Sequence, residues 1–468
     1  MIRGLRGYFR YPQRLSPHPL LKAPVAAQVL DAELPGSLES GAVGSGAAAC
    51  ASIKTRKMGN REAFIVSAVR TPIGNFGGSL KDVSAVELGI HAVRAALERA
   101  FGAIPPERKP GEAGPEKWPY AWKIDEVILG NAREAGVGPN PARQIAWRAG
   151  LGDETPAYTL NMACASGLQA VALAAERIAQ GEAECVVAGG TESMSRVPYM
   201  LEARWGVKMG HVPLADGMYR DGFLCPISEM IMGETAESLA DRYKVTREEQ
   251  DCYAAESHGR AARATAEGRF QAEIAPWEMA SRAGRTARFE HDEHIRPDTN
   301  PEAMAKLAPV FRKTGTITAG NSSGITDGAA ALVVASQETV KRLGLEPLAR
   351  VSDAVTSAVD PRVMGIAPVP AVRKLERRTG RKLADYGVVE LNEAFAAQVL
   401  ACDRELGFDR QRLNPKGGAI ALGHPIGCSG ARILTTLAHE LRERGERWGL
   451  ATLCVSGGLG MALAIEAV

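Results

Sequence analysis

The hydrophobic positions of this chain change period several times beyond residue 62. "AFIVSAVRTP", from Ala63, is a short apolar run stopped by Pro72, the pattern of a strand buried on both faces. In "SAVELGIHAVRAALERAFG" the residues Val86, Leu88, Ile90, Val93, Ala96 and Leu97 fall largely on one helical face. "EVILGN" at 126–131 reads as the next strand, and "PAYTLNMA" as an extended segment. A helix from about Cys164 follows, with Leu168, Val171, Ala172, Ala175, Ile178 and Ala179 at helical spacing, and "AECVVAGG" returns to strand. Strands and helices in alternation predict a layered α/β architecture.

Between 195 and 325 the texture changes. Methionines, aromatics, glycines and charged helices such as "ETAESLADRYKV" and "REEQDCYAAESHGRAARATAEG" replace the alternation, which predicts an inserted lid or substrate-binding subdomain. The α/β pattern resumes at "DGAAALVVAS" and runs to the end. A Pro- and Trp-containing segment at 104–122 reads as a surface insertion. "AECVVAGGTES" and "ATLCVSGGLGM" are both apolar strands closing on paired glycines, each after a helix that follows a glycine- or cysteine-bearing turn, a hint of duplicated halves.

Residues 1–61 differ from the rest. Arg3, Arg6, Arg10, Arg14 and Lys22 precede the first acidic residue, Asp31, and a Gly/Ala/Ser-rich stretch runs from Gly36 to Ala49. The segment predicts a disordered or targeting extension, with folding from near Glu62. It reads either as a mitochondrial transit peptide, placing the protein in the matrix, or as sequence upstream of a working start at Met58, placing it in the cytoplasm. Its prolines break the amphipathic helix a transit peptide offers, which favours the cytoplasmic reading.

Lys plus Arg number 56 against 54 Asp plus Glu, so overall charge gives no reason to expect a nucleic-acid partner. No apolar run approaches the roughly 18 residues of a membrane span. The eight cysteines are scattered without a C-x-x-C pair, which argues against a metal site and for reduced thiols, most of them packing groups.

Four positions could carry chemistry. Cys164, in "NMACASG", stands where an extended segment meets a helix, where unpaired N–H groups would lower a thiol pKa. His424 lies in the glycine-dense turn "GGAIALGHPIGCSG", Cys454 at a strand end before glycines 457, 458 and 460, and Asn392 directly after an apolar strand, with Glu393 beside it. Taken singly, each thiol is equally a packing cysteine, the histidine a structural one, and Asn392 a helix cap.

Together, "NMACASG", "GGTESMS", "TAGNSSGITDGAA", "NEAFA", "NPKGGAIALGHPIGCSGAR" and "CVSGGLG", in this order, closely resemble the thiolase family from about residue 63 to the end. The resemblance implies two similar mixed-sheet halves in a five-layered αβαβα arrangement. The N-terminal half would occupy 62–194, completed by 326–346, the CoA-binding loop domain 195–325, and the C-terminal half 347–468. It implies a 3-ketoacyl-CoA thiolase of fatty-acid β-oxidation with ping-pong kinetics: Cys164 as nucleophile, His424 as its base, Cys454 as second acid/base and Asn392 holding an oxyanion-hole water. CoA would be a co-substrate, with no permanently bound cofactor. Its contacts would be Ser323 and also Phe223, Met232, Arg296, Met304, Phe311 and Ala319. Partners would be acyl-CoA, CoA and further copies in a homodimer or homotetramer, or a β-oxidation complex.

Two departures stand out. Ser456 replaces a glycine that many members carry, where a serine is less free at positive φ. Ile231 replaces a histidine that some short-chain members place there, which leans the reading toward a degradative enzyme. The alternatives are an acetoacetyl-CoA thiolase working in condensation, a catalytically inactive acyl-CoA or lipid binder, and a decarboxylating condensing enzyme. Retention of both cysteines and the histidine argues against the last two.

Overall fold

The computed structural model describes residues 61–113, 118–280 and 286–468. The targeting, linker and Met58 readings all lie outside these residues. Folding begins at β1 (Ala63–Arg70), buried along its whole length. Helix α1 (Ala85–Phe101) starts at Ser84, whose Oγ accepts from the Glu87 N–H at 3.2 Å while the Glu87 carboxylate accepts from the Ser84 N–H at 2.9 Å. This reciprocal cap satisfies two otherwise unpaired donors and fixes the helix start.

The N-terminal half continues with β2 (Glu126–Gly130), α2 (Pro141–Arg148), β3 (Ala157–Leu160), α3 (Ser166–Ala179) and β4 (Cys185–Ser193). The segment 194–325 follows, with α4 (Met232–Tyr243) and α5 (Arg247–Ala266) as its longest elements. The chain then returns through β5 (Thr326–Ser336) and β6 (Ala349–Ala358) to α6 (Pro368–Thr379), β7 (Val388–Leu391), α7 (Ala396–Leu406), α8 (Ile426–Arg444), β8 (Trp448–Val455) and β9 (Leu459–Ala467).

The strand ladders repeat. In the first half β3, β2 and β4 are parallel, and β4, β5 and β1 antiparallel; in the second β7 and β8 are parallel, and β8, β9 and β6 antiparallel. The halves join where Ala63–Ile65 pair with Ala349–Val351. Successive side chains on a strand face opposite sides, so each half-sheet contributes to two cores. Val186 and Ala188 pack with α3 and α8, while Val187 packs with α1 and α2. Ala451 and Leu453 join that same central cluster, whereas Leu450 packs with α6 and α7. Helices, sheet, helices, sheet, helices is therefore the order of layers, with α3 and α8 in the middle.

The 104–122 segment is mostly at the surface, as expected, but its C-terminal end is not. Trp122 and Ile124 are buried with α1, and the Trp122 ring stacks on Phe101 at 4.5 Å between centroids. Large aromatic area packs an outer helix here, which a Pro-rich local pattern cannot reveal. Among the described residues no helix is long and apolar enough to cross a membrane.

Candidate active site

Two tight turns at the start of the central helices build the site. Before α3, the Ser166 hydroxyl accepts from the Met162 N–H at 2.8 Å and donates to the Ala163 carbonyl at 2.7 Å, while Asn161 accepts from the Ala163 N–H at 2.9 Å. These bonds hold Ala163 at φ 46°, a left-handed conformation that a residue with a Cβ adopts at a cost of about 1 kcal/mol or more. Cys164 follows in a single turn of 3-10 helix, Ala163–Ala165, and is partly buried.

The second turn brings in His424, whose N–H donates to the Gly324 carbonyl at 3.0 Å. The starts of α3 and α8 approach closely because both are glycine there. A Cβ on Gly167 would lie 2.7 Å from the Ala431 nitrogen, and one on Gly430 2.5 Å from the Leu168 nitrogen. That approach puts His424 Nε2 at 3.3 Å from Cys164 Sγ. His424 Nδ1 lies 2.6 Å from Ser429 Oγ, which donates its own proton to the Pro425 carbonyl at 2.9 Å. The hydroxyl therefore accepts from Nδ1–H, which leaves the Nε2 lone pair facing the thiol.

Electrostatics corrects one expectation. Burial pushes the Cys164 thiol up to about 11, outweighing the lowering by Arg133 and the Ser456 N–H, so the helix start does not yield a free thiolate. Burial, aided by Arg432 and Arg133, holds His424 down to about 3. The resting pair is thus neutral thiol and neutral imidazole. Cys454, fully buried at the end of β8, has its thiol raised chiefly by burial, and a second thiolate beside Cys164 would be disfavoured as well. Ser456 is absent from the residues at positive φ, so serine is accommodated there without the expected strain.

Asn392 is no helix cap; the residue before α7 is Phe395. Its N–H donates to the Thr452 carbonyl at 3.0 Å, while both polar atoms of its buried side chain lack a protein partner, an arrangement that suits a bound water or a developing oxyanion. Glu393, beside it, is structural. Its carboxylate accepts from Tyr253 and Ser257 of α5 at 2.7 Å each, from Asn414 at 2.9 Å and from the Ile420 N–H at 3.1 Å.

The residues expected to hold CoA are spread along the insertion and its borders. Phe223 and Cys164 both pack against an apolar cluster of Ala132, Met194, Met218 and Ile426. Met232 opens α4, and the Phe311 ring lies edge-on to Phe395 and beneath Gly233. Ser323 is tied to the polypeptide of Ala394 at 3.0 Å; Arg296 and Ala319 are exposed. Met304 needs correction: it is buried beneath Gly320, so it can support a ligand wall but not present its own surface.

Sequence reasoning overlooked Ser429, five residues beyond His424, and Glu192. Glu192 is fully buried and accepts from the Asn131 amide and the backbone of Ala132, Arg133 and Gly427, which ties the loop after β2 to the start of α8. Its place in "GGTES" was the available signal. The described cysteines are all free, and among the described residues no cluster of His, Cys, Asp or Glu could hold a metal.

Residues 63–338 match the thiolase N-terminal domain and residues 345–467 the thiolase C-terminal domain. An acetyl-CoA acetyltransferase of Pseudomonas aeruginosa is 48% identical, over 86% of this chain and 99% of its own length. The crystal structure of the Bacillus anthracis acetyl-CoA acetyltransferase superposes with a TM-score of 0.81 at 44% identity, covering 88% of this chain and all of that one. Human mitochondrial 3-ketoacyl-CoA thiolase in complex with CoA gives a TM-score of 0.80 at 41% identity, covering 87% and 98%.

Proposed function

The chain belongs to the thiolase family of acyltransferases, and on that premise we propose that it is a 3-ketoacyl-CoA thiolase. It transfers an acyl group to CoA with release of acetyl-CoA. The observation that carries this reading is the 3.3 Å contact between Cys164 Sγ and His424 Nε2, with Nδ1 anchored on Ser429. A neutral pair suits attack coupled to proton transfer. His424 takes the thiol proton as Sγ attacks the 3-keto carbon, so no isolated thiolate has to exist in the buried site. Asn392, with its free amide, holds the water that stabilises the oxyanion.

Cleavage leaves an acyl group on Cys164 and negative charge on the α-carbon of the departing acetyl-CoA. Cys454 protonates that carbon, then takes the proton of the incoming CoA thiol, whose sulfur releases the acyl group. Ser323, Phe223, Met232, Phe311, Arg296 and Ala319 form the CoA-binding region, with Met304 behind it. The apolar cluster beside Cys164 favours 3-ketoacyl chains over acetoacetyl-CoA alone. The second reading, an acetoacetyl-CoA thiolase acting in condensation, draws support from relatives named acetyl-CoA acetyltransferase.

Thiolysis of acetoacetyl-CoA and of a longer 3-ketoacyl-CoA, by wild type and by Cys164→Ala, tests the proposal. Wild type is expected to cleave the longer substrate with the higher kcat/KM, and the variant to lose at least roughly 10⁴-fold in kcat. A variant as fast as wild type would sink the mechanism, and preference for acetoacetyl-CoA would select the second reading.

A further inference from the structure

Arg133 is a buried cation whose guanidinium has no ion-pair partner in contact. It follows Ala132 in the loop after β2, the residue is 7% exposed, and no carboxylate oxygen among the described residues lies within 4.0 Å of the guanidinium nitrogens. Its guanidinium makes one hydrogen bond, from Nη1 to the neighbouring Ala132 carbonyl at 3.3 Å, and its Nε is buried with no partner. Glu192 is near enough for its charge to feel Arg133, but its two oxygens are engaged by four N–H donors, one of them the Arg133 backbone N–H, and none by the guanidinium. Burial of a guanidinium is costly unless an anion and hydrogen-bond acceptors meet it.

Position narrows the missing anion. Ala132 belongs to the apolar cluster that flanks Cys164 and Phe223, and the guanidinium packs under Gly222, where a Cβ would lie 2.5 Å from Nε and Nη2. Its field reaches both Cys164 and His424. The Cys164 sulfur is not the standing partner, because the resting thiol is neutral and the acylated sulfur carries no charge. Arg133 also lines a groove of about 310 Å³ with Ser84, Glu87, Gln144, Arg148 and Arg196, so its outer surroundings are polar and carry more basic than acidic groups.

We propose that Arg133 pairs with a carboxylate at the far end of the acyl chain, so that the preferred substrates are 3-ketoacyl-CoA esters of dicarboxylic acids. The apolar cluster takes the methylenes, and the guanidinium receives the terminal carboxylate in the two-pronged geometry that suits it. The inference rests on the thiolase reading above and assigns its substrate class.

The test compares 3-ketoadipyl-CoA with 3-ketohexanoyl-CoA, which have the same carbon count and differ in the terminal group, and 3-ketosuberyl-CoA with 3-ketooctanoyl-CoA. Wild type is expected to favour the carboxylated member of at least one pair by 10-fold or more in kcat/KM. In Arg133→Leu that ratio is expected to fall by about 100-fold, with Arg133→Lys intermediate. Wild type that cleaves the neutral esters equally well or better overturns the assignment and leaves the thiolase reading standing. Equal losses on both members in Arg133→Leu also overturn it, by showing that the cation acts on Cys164. If wild type cleaves none of the four esters, both readings fall.

Discussion

The two stacked halves and the segment inserted in the first of them are held in place by different balances of apolar and polar contact. The halves meet through apolar layers: Leu332, Val334, Leu453 and Leu463 from the sheets and Leu168, Ile433, Leu434 and Leu437 from α3 and α8 are all fully buried in one cluster. Segment 194–325 shares apolar clusters with them, through residues such as Tyr253, Ile317 and Phe270, and is pinned in addition by buried polar bonds. Arg70 of β1 reaches Glu273 at 2.6 Å and Asp292 at 2.7 and 2.9 Å, with every partner buried. Glu293 accepts from Asn75 and Ser79, Asp327 from Ser195, and Glu393 from α5. The insertion also leaves Trp205 and Met209 almost wholly exposed. Apolar layering tolerates a change of partner of similar shape, whereas a buried ion network depends on each atom, so the insertion relies on a few polar residues in a way the interface between the halves does not.

The largest effect that would sharpen this contrast is loss of the Arg70 network. Arg70→Ala leaves Glu273 and Asp292 buried without their cation and is expected to cost about 3–5 kcal/mol. Urea unfolding followed by far-UV circular dichroism measures it; a loss below 1 kcal/mol would mean that the insertion is held elsewhere. Next comes the apolar side. Gly430→Val forces α8 away from α3 and is expected to cost about 1–3 kcal/mol. Because the same approach sets the distance from Cys164 to His424, kcat should drop roughly 100-fold in the folded variant. Retained activity would show that the two turns are aligned independently of the helices.

The smallest effect is on pH. Burial lowers His258 and His294, which flank Arg296 in the insertion, each to about 4. The unfolded chain binds their protons from about pH 6.5 downward, while the folded chain resists until about pH 4, so their contribution to stability is lost as pH falls through that window. Asp327, raised to about 6 by burial, acts in the opposite sense, because its folded state holds a proton between pH 3.8 and 6. Two imidazoles outweigh one carboxyl. Limited proteolysis at pH 7 and pH 5 should therefore show faster cutting within 194–325 at pH 5, before the halves unfold. Equal rates would place the histidines outside the attachment.

The contrast also explains what could be read from the chain. Helix α1 was legible from its apolar stripe, which is local; its Ser84–Glu87 cap, though local too, went unread. The strands were legible as apolar runs, and Cys164, His424, Cys454 and Asn392 stood out because their motifs occur in one order. Trp122 was misread as surface, since its burial depends on Phe101 and α1. The thiol pKa of Cys164 was expected to fall because a helix start is a local signal, while the burial that raises it comes from several segments at once.

Sequence alone determined the element periods and the family and singled out the candidate reacting groups, since each depends on residue type and spacing along the chain. Only the tertiary structure decided that Gly167 and Gly430 let two helix starts touch, that Ser429 sets the tautomer of His424, and that the Arg133 guanidinium is buried with no carboxylate in contact. Those facts depend on distances between residues far apart in the chain, which no local pattern contains.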